Sequence, residues 1–248
     1  MARNIGVLIS NGIYLIIPDS DDILSENILK TCYYLSKKYN CDMIRFNQFE
    51  EKTNGRWFKI VNKLKSHPIY QPIIYDYLFY ALGHLKLNDF SISNKFLKRE
   101  LFIKTLNVIS KFFLNQRMIV YEDGIINFAL HQQAKIFYLL KKVGYYYLNN
   151  RYNSSNKNGK KYYFKYLFLY LKFIFENTRN TRYDKLKPFL ILNKYIKNIK
   201  IVNNINYDLN FFLDIINNYL KCKFINKIDK IKLTNMRNII IMNKNRSN

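Results

Sequence analysis

Two short apolar runs open the chain, Ile5 to Ile9 and Ile13 to Ile17, separated by Ser10-Asn11-Gly12. The first is compatible with the end of a helix. The second, rich in β-branched and aromatic residues, predicts a buried strand. It runs directly into Pro18-Asp19-Ser20-Asp21-Asp22. Beyond these acids Ile28, Leu29, Cys32, Leu35 and Tyr39 recur at helical spacing, with Ser25 as the expected N-cap and Lys37-Lys38 near the C-terminus, where cations suit the helix dipole. Asp42 to Asn47 then alternates apolar and polar residues, as a half-buried strand does. Strand, acidic turn, helix and strand form an α/β unit. The carboxylates then lie at the C-terminal end of a strand, the edge where open α/β sheets bind ligands.

Residues 48–75, with Gly55, Trp57, Pro68 and Pro72, predict irregular structure with a short hairpin or helix. An apolar stretch from Tyr75 to Leu87 predicts a helix up to Gly83. Ile92 to Glu100 predicts a strand, including Asn94, Lys95 and Lys98, that meets a helix carrying Leu101, Thr105, Val108, Ile109 and Phe112. Val120-Tyr121-Glu122-Asp123-Gly124 precedes a helical pattern from Ile125 through Ile136 and Leu139. Glu122 and Asp123 then occupy the positive end of that helix, a place where acids also serve simply as caps. Val143 to Leu148 predicts another strand. Residues 149–161 are a polar linker, and residues 162–248 a basic helical C-terminal region. In that region Tyr162 to Phe175 is an aromatic helix, further helices fall around 186–200 and 208–226, and the tail from Lys227 is peripheral and partly disordered. The fold class is α/β with a mixed sheet flanked by helices and an α-helical C-terminal appendage.

Composition changes this picture only slightly. With 248 residues, 49% of them hydrophobic, the chain can bury a substantial core. Its formal charge of +24 invites an anionic partner. However, Lys, Asn, Ile, Tyr and Phe are all in excess, and codons rich in A and T specify these residues. No nucleic-acid-binding motif accompanies the charge, so nucleic acid is not the expected partner. Cys32, Cys41 and Cys222 lack metal-ligand spacing and read as reduced thiols in a cytosolic setting. The N-terminal apolar runs are interrupted by Asn11-Gly12 and end in acids rather than small residues, which argues against a signal peptide. No apolar run is long enough to span a bilayer, so the expected location is cytoplasmic, with contact at a membrane surface through the basic C-terminal region.

Clustered acids at the mouth of a sheet suit a hard cation, because Mg²⁺ needs only one or two carboxylates plus substrate phosphates. In their order and spacing, Ala2-Arg3-Asn4, Asn11-Gly12, Asp19-Ser20-Asp21-Asp22 and Glu122-Asp123 resemble the motifs of the family-two glycosyltransferases of the GT-A, Rossmann-like fold. The resemblance covers residues 1–148 as the C-terminal portion of a GT-A catalytic domain. It implies transfer of a sugar from a nucleotide-sugar donor to an acceptor hydroxyl on a glycan, lipid or protein, with inversion.

Carried over residue by residue, the resemblance places Arg3, Asn4, Asp19 and Asp22 on the donor side, with Asp19 facing the nucleotide and Asp22 supporting the loop. Asp21, with Asp19, holds Mn²⁺ or Mg²⁺ on the donor diphosphate. Asp123 is the general base for the acceptor hydroxyl, Glu122 orients it, and Asn94 and Lys95 are acceptor contacts by position. Members of the family normally begin with earlier strand-helix units that bind the nucleotide base. The resemblance therefore implies a partial domain, completed by a separate chain that supplies the N-terminal half. The competing expectation is a truncated, inactive remnant that binds a partner or a membrane surface.

Overall fold

The computed structural model describes residues 2–51, 57–60, 66–71, 74, 91–113 and 122–148, and helical residues at 169–170, 173–174, 177, 213, 216–217, 220, 230–231, 234–235, 237–238 and 240–242. The helix expected at 75–83, the linker at 149–161 and the helix at 186–200 lie outside the described residues. Two compact units make up the chain, Met1–Phe173 and Ile174–Asn248. The second is helical wherever it is described, including the described residues of the tail from 230 on, and buries Ile216 and Ile240.

In the first unit the elements are α1 (Ala2–Ile9), β1 (Tyr14–Ile16), β2 (Ile23–Leu24), α2 (Ile28–Tyr39), β3 (Met43–Glu51), β4 (Trp57–Ile60), β5 (His67–Tyr70), β6 (Lys95–Lys98), α3 (Arg99–Phe113), α4 (Glu122–Gln133) and β7 (Ile136–Tyr147). The seven strands form one mixed sheet in the order β1-β6-β3-β7-β2, with β4 paired to β3 and β5 to β7. Among the described strand pairs only β3 and β7 pair in parallel, registered from Met43 opposite Phe137 to Glu50 opposite Tyr147 with an irregularity at Asn47. Because β1 and β3 are both antiparallel to β6, they run in the same direction. The C-terminal ends of β1, β3 and β7 and the entrance to β6 therefore share one edge of the sheet.

Side chains alternate across a strand, so β7 faces two layers. Tyr138 and Tyr145 join Ile28 and Cys32 of α2, with Ile44, Phe46 and Phe96, in a buried cluster. Phe137 faces the other way and meets His131 of α4 edge-on, with ring centroids 4.9 Å apart. Helices thus cover both faces. Cys32 and Cys41 are free and buried, and burial pushes their thiols up to about 12 and about 11. At the β1 end of the sheet an open apolar groove of about 490 Å³ is lined by Ile13, Tyr14, Ile16, Leu29, Tyr33 and Phe96.

Four local expectations are corrected. The helix expected through Leu139 stops at Gln133, and the strand expected from Val143 begins at Ile136. The Asp42 carboxylate causes that switch by accepting the backbone N–H groups of Lys135 at 2.7 Å and Ile136 at 3.0 Å, while Asp42 N–H donates to the Ile136 carbonyl at 2.9 Å. The N-cap of α2 is Asn27 in the left-handed conformation; the Ser25 hydroxyl instead donates to the Val143 carbonyl at 3.2 Å. The segment Met43 to Gln48 is buried on both faces rather than one, because β6 and β7 flank it and helices cover it. Within 48–75, β3 continues to Glu51 and pairs antiparallel with β4, and β5 adds a further strand.

Gly144 is where α2 presses onto the sheet: a Cβ there would lie 2.5 Å from Ile28 Cγ1 and 2.5 Å from Phe46 Cδ2. Gly144→Ala is expected to cost about 1–3 kcal/mol through overpacking. Urea denaturation of the variant beside the wild type checks this.

Candidate active site

The site starts from α1, whose C-terminal carbonyls are held from α3. Arg99 donates from Nη2 to the Leu8 carbonyl at 3.1 Å and from Nε to the Val7 carbonyl at 3.3 Å, a cation at the negative end of a helix. At the other end of α1, Arg3 reaches the sheet edge. Its Nη2 donates to Asp19 Oδ1 at 2.6 Å and its Nη1 to Asp123 Oδ1 at 2.5 Å, with Glu122 Oε1 3.8 Å away. One guanidinium thus joins the acidic turn after β1 to the acids that open α4. Burial opposes its charge, but Asp123, Asp19 and Glu122 together raise its pKa above the ordinary value.

The acidic turn is bracketed from the end of β7. Asp22 N–H donates to the Asp19 carbonyl at 3.2 Å, which closes the turn. Asp19 N–H donates to the Tyr145 hydroxyl at 3.1 Å, and that hydroxyl in turn donates to Asp22 Oδ2. Leu148 N–H takes the other oxygen, Asp22 Oδ1, at 2.8 Å. Ser20 and Asp21, between these tethers, are exposed.

A third segment, Ser91 to Lys95, touches both acidic motifs. The Ser93 hydroxyl donates to Asp19 Oδ2 at 3.2 Å, and the backbone N–H of Ile92 bonds the Asp123 carboxylate. Asn94 and Lys95 are buried on the way into β6. Asn94 Nδ2 donates to Gln48 Oε1 at 3.3 Å, and Lys95 Nζ donates to Asn94 Oδ1 at 3.3 Å and to the Ser91 carbonyl. Lys98 lies further along and pairs with Asp42 at 2.9 Å.

Crowding and burial shift the acids. Burial, and then the neighbouring Asp123 charge, push Glu122 up to about 7. Burial also raises Asp123 against the opposing pull of Arg3, and raises Asp22 against the hydrogen bonds from Tyr145 and Leu148. Among the described residues, no three His, Cys, Asp or Glu side chains are grouped closely enough to hold a metal ion. The oxygen donors nonetheless fit a hard cation that brings its own phosphate ligands, since Asp21 is exposed at the apex of the turn beside Asp19.

The structure therefore brings Arg3, Asp19, Glu122 and Asp123 together, tethers Asp22 behind the turn, and leaves Asp21 at its tip. Asn4 sits half-buried on α1, one residue beyond Arg3. Sequence reasoning missed Ser93 and Tyr145. Serine in a polar turn and one tyrosine among Tyr145-Tyr146-Tyr147 carry no chemical signature, and their partners lie 74 and 126 residues away.

The chain, whose α/β sheet brings two acidic motifs together at one edge, is similar in sequence to known glycosyltransferases. The chain is similar to the poly(ribitol-phosphate) beta-N-acetylglucosaminyltransferase TarP of Staphylococcus aureus (strain N315), with 25% identity over 98% of this chain and 76% of TarP. It is also similar to the glycosyltransferase GlyG of Streptococcus pneumoniae serotype 4, with 27% identity over 41% of this chain and 35% of GlyG. Its fold matches S. aureus TarS 1-349 in complex with UDP-GlcNAc, with a TM-score of 0.61, 14% identity, and coverage of 99% of this chain and 69% of that one. No family model matches the chain. Among the described residues, no helix is long and apolar enough to cross a membrane.

Glu122 holds its proton more tightly in the folded chain than in the unfolded one. Its stability contribution is complete below the ordinary value of 4.5 and is lost as pH rises toward about 7. Glu122→Gln is expected to flatten that slope, with the urea midpoint of the variant gaining on the wild type between about pH 5 and about pH 8.

Proposed function

We propose that the chain transfers a sugar from a nucleotide-sugar donor to an acceptor hydroxyl in a metal-dependent, inverting displacement. The observation that carries this reading is Arg3, which joins Asp19 of one acidic motif to Asp123 of the other. The meeting of the two motifs at one sheet edge supports donor and acceptor sides that face each other. The donor side consists of Arg3, Asn4 and the Asp19–Asp22 turn. Asp21 with Asp19 would hold Mn²⁺ or Mg²⁺, which when bound offsets the negative charge developing on the departing nucleotide diphosphate.

On the other side Asp123 accepts the proton of the acceptor hydroxyl as that oxygen attacks the anomeric carbon. Partial burial and a raised pKa favour this role, since a base works best when its pKa approaches the working pH. Glu122 orients the hydroxyl and buffers the local charge. Backbone N–H of Ile92 steadies Asp123, while Asn94 and Lys95, fully buried at the entrance to β6, support the Ser91–Lys95 segment from behind rather than touch the acceptor. UDP-GlcNAc is the first donor to test, because TarS binds it, and an acceptor carrying hydroxyls between phosphates follows from the name of TarP. Membrane-surface contact through the basic C-terminal region fits the net charge of +24.

Donor hydrolysis and transfer with Mn²⁺ across the common nucleotide sugars test the reading. Asp123→Asn is expected to lower kcat by about 10²–10⁴-fold with donor binding retained. Asp21→Ala is expected to remove the metal dependence. A folded chain that neither binds nor turns over any donor would instead support the inactive, partner-binding alternative.

A further inference from the structure

We propose that Tyr145 is the positioning residue of the donor side: its hydroxyl fixes the Asp19–Asp22 turn in the shape that presents Asp21 to the donor diphosphate. This rests on the nucleotide-sugar reading above and adds to it a residue outside both acidic motifs. A phenol hydroxyl has one proton to give and two lone pairs to receive. Here the proton goes to Asp22 Oδ2, one lone pair takes Asp19 N–H at 3.1 Å, and the remaining side faces the Ser93 hydroxyl. All three partners belong to the acidic turn or to a residue that bonds it.

The ring of Tyr145 is 1% exposed within the α2-facing cluster, and phenylalanine would fill that space equally well. A buried hydroxyl is costly unless its hydrogen bonds are made, so its presence there is explained by what it holds. Tyr145→Phe would leave Asp19 N–H without this acceptor and Asp22 with Leu148 N–H but no phenol. The turn's own Asp22–Asp19 backbone bond would remain. The turn then persists but is free to rock at both ends, and its exposed tip moves most. The deficit therefore falls on ligand binding more than on folding.

Calorimetric titration of UDP in the presence of Mn²⁺ onto the full chain tests this, using wild type, Tyr145→Phe, Asp22→Asn, the double variant and Tyr34→Phe, exposed on α2, as the control. Loss of a hydrogen bond to a charged group predicts about tenfold weaker binding for Tyr145→Phe, with donor KM rising in parallel and kcat changing less. Because Tyr145 and Asp22 hold the same turn in part through each other, the double variant should bind less weakly than the product of the two single effects. Tyr34→Phe should match the wild type. If Tyr145→Phe does not fold, Asp22→Asn must still weaken UDP binding about tenfold with a wild-type melting curve. Wild-type binding by Tyr145→Phe, or single effects that multiply in the double variant, overturns the role of Tyr145 alone. A folded wild type that takes up no nucleotide overturns the donor reading and this inference with it.

Discussion

Like charges gathered at a sheet edge repel one another, and how this chain manages that repulsion shapes everything around it. Two unit charges about 4 Å apart cost on the order of 4 kcal/mol at an effective dielectric constant near 20. Asp19, Glu122 and Asp123 all lie around one cation, Arg3, which can offset only one of them. The rest is absorbed by a proton on Glu122 near neutral pH and by N–H groups aimed at Asp22 and Asp123. The folded chain therefore retains negative charge at this edge, and a divalent cation accompanying a diphosphate is the kind of ligand that would relieve it.

The sheet makes that gathering possible. Parallel β3 and β7 fix the central register, and β6, running against both β1 and β3, brings its own entrance to their C-terminal edge. Four pieces of chain arrive there independently: the turn after β1, the Ser91–Lys95 approach to β6, the first turn of α4 and the end of β7. Each contributes a different group, respectively the exposed acid, the serine and amide tethers, the half-buried acids and the phenol. Arg3 arrives from α1, whose far end Arg99 secures.

What could be read from the sequence was what local pattern encodes. The Asp19–Asp22 cluster after an apolar run and the Glu122-Asp123 pair before a helical pattern each stand out, as do α2, α3 and the first two turns of α4. The start of β7 was hidden because Ile136, Leu139 and Leu140 continue the helical phase of Ile125, Phe128 and Ala129; the distant Asp42 decides otherwise. Burial of Arg45, Asn47 and Gln48 was equally illegible, since alternation in β3 suggested one wet face. Tyr145 and Ser93 meet the acidic turn only because folding brings it to them from far along the chain. No window of sequence contains such a pair.

The β1 rim has a consequence for handling the molecule. Among the described strands it ends the sheet, with an open apolar groove whose lining includes the exposed Ile13. A strand edge with apolar flanks is adhesive toward its own copies, whereas a net charge of +24 drives those copies apart. Raising salt from about 0.1 M to about 1 M shortens the screening length from about 10 Å to about 3 Å and silences the repulsion while leaving the adhesion intact. Colloidal behaviour in solution is thus governed by ionic strength, and the high-salt buffers commonly used to strip nucleic acid from basic proteins favour clumping of this one.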